Sequence, residues 1–247
     1  ADGALLIETS DLPAMGYAVY RLIPNDRTVC STGMLKVTDR SMESEMLRVK
    51  FDKAGLITSL YDKFSDREVL PKGCKANQLQ LFEDRPMEWE AWDIDYSFEE
   101  GFRGVLEADK IEVIESGPVR ATIRMTYAFG DSKLTQDITL GAWSDRLEFR
   151  TRVDWRERRT LLKAAFPVDV RSSRAAYEVQ FATVERPTHR NRECDAAQFE
   201  VPAQQWADLS EGDYGVSLMN DCKYGYDIRD NVMRLSLLRS PMEPDPE

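Results

Sequence analysis

A strict two-residue alternation of apolar and polar side chains, repeated over many short runs, constrains this chain more than any other feature. Val119, Ala121, Ile123, Met125, Tyr127 and Phe129 are apolar, with Arg120, Thr122, Arg124 and Thr126 between them. After Gly130-Asp131-Ser132, Leu134, Ile138 and Leu140 lie on one face, and Lys133, Thr135, Asp137 and Thr139 on the other. After Gly141 to Asp145, Leu147, Phe149, Val153 and Trp155 alternate with Arg146, Glu148, Arg150, Arg152 and Asp154. Successive side chains of an extended chain point to opposite faces, so this pattern predicts half-buried strands. The short turns between them predict an antiparallel meander.

Similar runs flank the meander. Leu47, Val49 and Phe51 precede a turn at Gly55, and Leu56 to Tyr61 forms the returning strand. Ile111 to Glu115, Ala175 to Phe181 and Val232 to Leu238 read the same way, and a short turn is expected near Ser65 to Glu68. No strong helical period occurs. The expectation is an all-β fold built as one large antiparallel sandwich.

Three segments break the alternation. Asn77 to Phe102 is rich in aromatics and carboxylates, Thr183 to Glu211 is long, and Asn220 to Asn231 is polar and tyrosine-rich. Loops of this length in a compact domain are usually functional or meet another domain. A weaker break at Ser41 to Ser44 suggests a domain boundary.

Charge narrows the partners. The net charge is −11, and the one basic group, Arg156, Arg158 and Arg159, is offset by Asp154 and Glu157. Phosphate backbones and anionic membranes require basic surface, so neither nucleic acid nor membrane is expected. A neutral ligand such as a sugar fits. Cys30, Cys74, Cys194 and Cys222 form no C-x-x-C motif, and they read as reduced thiols of a cytoplasmic protein. Ala1-Asp2-Gly3 is no secretory start, and no apolar run approaches the ~20 residues of a membrane helix. Ala4-Leu5-Leu6-Ile7 reads as an apolar strand at one end, and Pro244-Asp245-Pro246-Glu247 as a loop at the other. Both ends read as boundaries within a larger polypeptide, with further strands expected beyond Pro246. An exposed sheet edge would then favour self-association.

Catalytic signatures are sparse. His189 is the single histidine, and it reads as a loop hydrogen-bonding residue. No metal-ligand spacing, nucleophile elbow or glycine-rich phosphate loop accompanies it. Paired carboxylates remain, because glycosidases need only two. Glu88, Glu90, Asp93 and Asp95 cluster with Trp89 and Trp92. Indoles stack on sugar C–H faces and carboxylates accept sugar hydroxyls, so this is the strongest carbohydrate-contact pattern. Asn220-Asp221-Cys222-Lys223-Tyr224-Gly225-Tyr226-Asp227 is a second polar-aromatic cluster.

These segments carry a family resemblance. Ile57 to Lys63 with Arg67 to Leu70, the stretch Asn77 to Asp95, and Val153 to Glu157 with Leu161-Leu162-Lys163 and Phe166-Pro167-Val168 occur in order. Arg186 to His189, Phe199 to Ala203, Trp206 to Ser210, Asn220-Asp221, Lys223 to Asp227 and Leu237 to Pro241 follow. The ordered set resembles the C-terminal β-region of glycoside hydrolase family 38 α-mannosidases, in the bacterial and cytosolic branch. Residues 1–43, with Asp11-Leu12-Pro13 and Gly16-Tyr17, resemble the end of the small β-domain preceding that region, leaving 44–247 as the main domain. The sequence departs from the family where histidines are common: Arg156, Arg159 and Gln204 stand there, and Cys194 precedes Asp195.

The resemblance implies a galactose-mutarotase-like super-sandwich and a part in retaining, zinc-dependent hydrolysis of α-mannosides. The zinc and the nucleophile of that family belong to an N-terminal barrel, so no catalytic or metal residue and no cofactor is assigned to this chain. The barrel of the same parent chain is the implied partner. Asp84, Trp89, Trp92, Asp93, Asp221, Lys223, Tyr226, Asp227 and Arg239 are candidates for the rim of its cleft. Trp92 would stack on a sugar, and Asp93 and Asp227 would accept hydroxyls or orient Arg239. The alternatives are a purely structural or oligomerisation module and a free-standing sugar mutarotase or epimerase.

Overall fold

The computed structural model describes residues 35–242 and, before them, 6–7, 9, 12–21 and 23. Of the predicted strand Ala4 to Ile7, Ala4 and Leu5 lie outside the described residues and Leu6 and Ile7 belong to no strand; the loop at Pro244 to Glu247 and Cys30 also lie outside the described residues. Nineteen strands follow the chain among the described residues. They are β1 Lys36–Thr38, β2 Ser41–Glu43, β3 Leu47–Phe51, β4 Ile57–Asp62, β5 Arg67–Glu68, β6 Gln78–Glu83 and β7 Phe102–Val105. Then come β8 Lys110–Ser116, β9 Arg120–Phe129, β10 Ser132–Gly141, β11 Leu147–Asp154, β12 Thr160–Pro167, β13 Arg174–Val179 and β14 Ala182–Pro187. The last are β15 Val201–Pro202, β16 Trp206–Glu211, β17 Tyr214–Met219, β18 Gly225–Arg229 and β19 Val232–Arg239. A 3-10 turn covers Phe98–Gly101, and a single helical turn, α1, covers Glu193–Ala196.

The alternating runs became strands. In the meander, Leu134 faces Tyr127 and Val153, and Ile138 faces Ile123 and Phe149, so one apolar face is continuous across β9, β10 and β11. Residues 36–43 supply β1 and β2, which pair onto β3 in the first sheet.

The all-β class holds, but the large galactose-mutarotase-like super-sandwich does not. Strand pairing closes into four separate small sheets: β1-β2-β3-β4-β5, β11-β10-β9-β8, β15-β18-β19-β12-β6-β7 and β14-β13-β16-β17. The arrangement is that of a four-bladed, propeller-like set. The physical reason lies in the connections. Short turns let neighbouring strands pair locally, and three of the four sheets close almost entirely on consecutive strands.

The third sheet is the exception and positions everything below. It gathers β6, β12, β18 and β19 from distant parts of the chain. One apolar cluster, with Met42, Val49, Ile123, Leu134, Ile138 and Leu162, joins it to the first two sheets. A second, with Val170, Tyr177, Leu209, Tyr226, Met233 and Leu235, joins it to the fourth. Covered on both faces, β12 is buried almost throughout, and so is the middle of β18, Tyr226 to Ile228. That is why Asn220 to Asn231 showed no alternation although it contains β18: a strand buried on both sides has no polar face.

Candidate functional site

The groove at the rim of the third sheet begins with an ion pair. Asp84 directly follows β6 and Arg239 ends β19, and both strands flank β12. Arg239 Nε and Nη2 donate to the two carboxylate oxygens of Asp84 at 2.9 and 3.1 Å. Asp84 is only 2% exposed, so the guanidinium is what makes its charge tolerable there. Nη2 also donates to the carbonyl oxygens of Glu90, at 3.1 Å, and of Asp93. Arg239 thus pins the chain segment that carries the two indoles. Glu90 adds a second latch: its carboxylate meets Arg159 Nη1 at 3.0 Å and accepts the Met242 amide at 2.9 Å.

Between these anchors the chain turns sharply. Trp89 has φ 59°, a left-handed conformation costing a non-glycine residue roughly 1–3 kcal/mol. Its carbonyl accepts the amides of Trp92 and Asp93 at 2.8 and 2.9 Å. The turn sets the two indoles 5.9 Å apart and tilted by 49°. They are 65% and 74% exposed, an unusual state for the largest apolar side chains. Trp92 borders an open groove of about 440 Å³, lined also by Asp93, Phe199, Glu200, Tyr224 and Arg239. At its floor Glu200 accepts a hydrogen bond from Ser236 Oγ at 2.5 Å and from Lys163 Nζ. A Cβ on Gly225 would lie 2.5 Å from Glu200 Oε1, so only glycine leaves that carboxylate its place.

The predicted site residues separate into three places. Asp84, Trp89, Trp92, Asp93 and Arg239 come together at this rim. Asp93 meets Arg239 through its main-chain oxygen, while its carboxylate accepts the Ile94 amide at 2.9 Å. Asp221 is exposed in the turn before β18, and Lys223 is half-buried beside it. Asn220 holds that turn, its Oδ1 accepting the Cys222 amide at 2.9 Å and the Lys223 amide as well.

Tyr226 and Asp227 lie inside the molecule. Tyr226 packs at 6.4 Å from Tyr177 and pairs with the Asn220 amide. Asp227 is 3% exposed and accepts from Lys163 Nζ at 2.5 Å and Arg234 Nε at 2.6 Å. It makes no hydrogen bond or ion pair to Arg239 among the described contacts. Lys163 is completely enclosed, and its ammonium lies 4.7 Å from the centre of the Phe98 ring. Arg234 also reaches Glu99, which meets Arg190 at 2.8 Å and Arg229 at 3.1 Å. Burial would raise the Glu99 carboxyl, but the hydrogen bonds and charges of Arg234 and Arg190 outweigh it and hold it at about 2.

Sequence reading missed Glu200 and Phe199 as groove residues. The available signal was a lone carboxylate between Phe199 and Val201, which alternation alone does not distinguish from a surface acid. His189 lies 3.5 Å from Asp195, whose carboxylate Arg192 also holds at 2.7 Å. Among the described residues no three His, Cys, Asp or Glu side chains converge as metal ligands do. The described residues therefore do not fit a zinc site. Cys74, Cys194 and Cys222 are free and exposed. No helix among the described residues is long and apolar enough to cross a membrane.

Comparison with known proteins places the chain. Residues 42–247 match the glycosyl hydrolases family 38 C-terminal domain. The chain is 38% identical to alpha-mannosidase 2C1 of Homo sapiens, over 98% of this chain and 24% of that protein. It is 34% identical to an alpha-mannosidase of Saccharomyces cerevisiae, over 90% of this chain and 21% of that one. An alpha-mannosidase from Enterococcus faecalis V583 superposes with a TM-score of 0.69 at 16% identity, over 85% of this chain and 27% of that one, a likeness of fold. The chain spans about a quarter or less of the length of these relatives.

Proposed function

For a chain that belongs to the glycosyl hydrolase family 38 C-terminal domain family, we propose the role of the non-catalytic β-region of a retaining, zinc-dependent α-mannosidase. The chemistry belongs to another part of the parent polypeptide, and this region buttresses it. The identity with alpha-mannosidases over nearly the whole of this chain but a quarter or less of theirs supports that division. The start of the family match at residue 42 supports a seam near residue 43 with a preceding β-unit. Free, exposed cysteines fit a cytoplasmic setting.

The rim reading rests on one observation: two exposed indoles held beside an open groove of mixed polar and apolar lining by the Asp84–Arg239 pair. An exposed indole offers a flat apolar face to sugar C–H groups, and Asp93, Glu200 and Tyr224 supply hydroxyl partners beside it. In this reading Trp92 stacks on a mannoside lying in the cleft of the parent enzyme. Asp84 and Arg239 act as positioning residues, while Tyr226 and Asp227 support the groove from within. Asp221 and Lys223 form the outer lip.

The test is hydrolysis of a chromogenic α-mannoside with zinc present, by this chain and by the parent polypeptide. The expected result is turnover by the parent alone. Turnover by this chain would move the chemistry to the carboxylates near Trp89 and Trp92 and overturn the division. Within the parent, Trp92→Ala and Asp93→Asn are expected to raise KM. Unchanged kcat and KM in both would remove the rim role.

A further inference from the structure

Glu200 stands just before β15, over a row of residues from three neighbouring strands. Lys163 of β12 lies opposite Ser236 of β19 in the strand register, so both side chains rise on one face. Gly225 of β18 comes next in the row, where a Cβ would lie 3.1 Å from that of Ser236. Lys163 Nζ donates to one carboxylate oxygen of Glu200, Oε2. Ser236 Oγ donates to the other, Oε1, at 2.5 Å. Gly225, with no side chain, leaves Oε1 its room. Each oxygen is thus anchored separately, which fixes the plane of the carboxylate.

The acceptor positions left over point to a ligand. A carboxylate has about four of them, two on each oxygen. Among the described residues Glu200 accepts one hydrogen bond on each oxygen, so each keeps a second position. The side chain is 13% exposed, and the residue lines the open groove together with Trp92 and Tyr224. Two adjacent acceptors in a fixed plane match two adjacent hydroxyl donors, as in a vicinal diol on a pyranose ring.

Charge narrows the ligand further. Lys163 and Arg234 together answer Glu200 and Asp227, and Arg239 answers Asp84. An anion or a cation would therefore meet groups already neutralised, whereas an uncharged polyol needs only their free acceptor positions. The groove, about 440 Å³, falls within the span of small-molecule sites, roughly 300–1,000 Å³.

We infer that Glu200 is the specificity-determining residue of this groove, accepting two adjacent ring hydroxyls of an uncharged pyranoside while Trp92 offers its indole face to the ring. Lys163 acts through Glu200 as a positioning residue. The assignment rests on the rim reading for the class of ligand, and it adds that this chain forms the subsite by itself.

The test is titration of this chain with methyl α-mannoside, followed by NMR through the tryptophan indole N–H resonances. It is repeated with the four deoxy forms lacking the C2, C3, C4 or C6 hydroxyl. The parent sugar should shift the Trp92 resonance saturably. Its adjacent ring hydroxyls are the C2–C3 and C3–C4 pairs. The C3-deoxy form should therefore bind about tenfold more weakly or worse, because hydrogen bonds to a charged acceptor are the stronger kind. Either the C2- or the C4-deoxy form should lose as much, and the C6-deoxy form should bind like the parent sugar. Glu200→Gln removes the charge and one acceptor oxygen, and should weaken the parent sugar about tenfold. The deoxy series leaves the protein unaltered, so it decides even where that variant is unstable. Equal affinity for all four deoxy forms would overturn the inference, as would an unshifted Trp92 resonance up to the solubility of the sugar. Either result leaves the rim reading to the kinetics of Trp92→Ala in the parent enzyme. Unchanged kinetics there, with the deoxy pattern present here, would remove the rim reading and keep the diol site.

Discussion

The third sheet carries two charge clusters on the same set of strands, and they are built in opposite ways. Lys163, Asp227 and Arg234 sit buried in the body of β12, β18 and β19 beside the Phe98 ring, tied to the partly exposed Glu99 and to Glu200. Asp84 and Arg239 sit where β6 and β19 end, at an open groove beside two exposed indoles. In mid-sheet every charge is answered by another, and of these groups only Glu200 reaches the groove. At the strand ends the ion pair spends its donors on main-chain carbonyls, and what it presents to solvent is aromatic. The same residue types thus make architecture in one place and a rim in the other, according to their depth along the strand.

The comparison can be broken most forcefully at Lys163. Lys163→Met leaves the buried Asp227 and Glu200 without their shared cation and should cost about 3–5 kcal/mol, read by denaturant unfolding. A loss below about 1 kcal/mol would show that the inner cluster is not structural. Arg239→Gln strips the partner from Asp84 and releases the segment carrying Trp89 and Trp92. The expected loss is about 3 kcal/mol, with a change in tryptophan fluorescence before global unfolding. If the fluorescence follows global unfolding alone, Arg239 does not pin the indoles.

Acid sharpens the contrast. Glu99 titrates at about 2 in the folded chain against 4.5 when free, so its contribution is present above about pH 4.5 and fades as the pH falls toward 2. The full shift corresponds to about 3.4 kcal/mol; solvent screening of the partly exposed carboxylate lowers the stability expected to disappear over that interval to about 2 kcal/mol, and Glu99→Gln should flatten the profile there. An unaltered profile would remove Glu99 from the cluster's electrostatics. The smallest effect belongs to the rim itself. Trp92→Ala should change stability by no more than about 0.5 kcal/mol, because the indole has little contact to lose. A loss above about 2 kcal/mol would make Trp92 a packing residue.

Much of this was legible beforehand, unevenly. The meander from Arg120 to Asp154 could be placed to within a residue or two, because each strand has one wet face and one dry one. β18 could not, because Tyr226, Asp227 and Ile228 are all buried and no alternation survives. Tyr226 and Asp227 looked like rim residues for the same reason: polar atoms in a run without period read as a loop. Asp84, Trp89, Trp92, Asp93 and Arg239 do share one rim, but nothing local to Arg239 names Asp84 as its partner, 155 positions away.

The sequence by itself determined the all-β class, the meander β9 to β11, the β3–β4 pair and the acidic, helix-poor character of the chain. Those properties follow from side-chain period and short turns, which act over a few residues. The tertiary structure alone decided that the strands close into four small sheets and that Lys163 is enclosed while Trp92 is bare. Closure and burial depend on which distant strands meet, and β6, β12, β18 and β19 are brought together by packing between surfaces, not by any pattern within one of them.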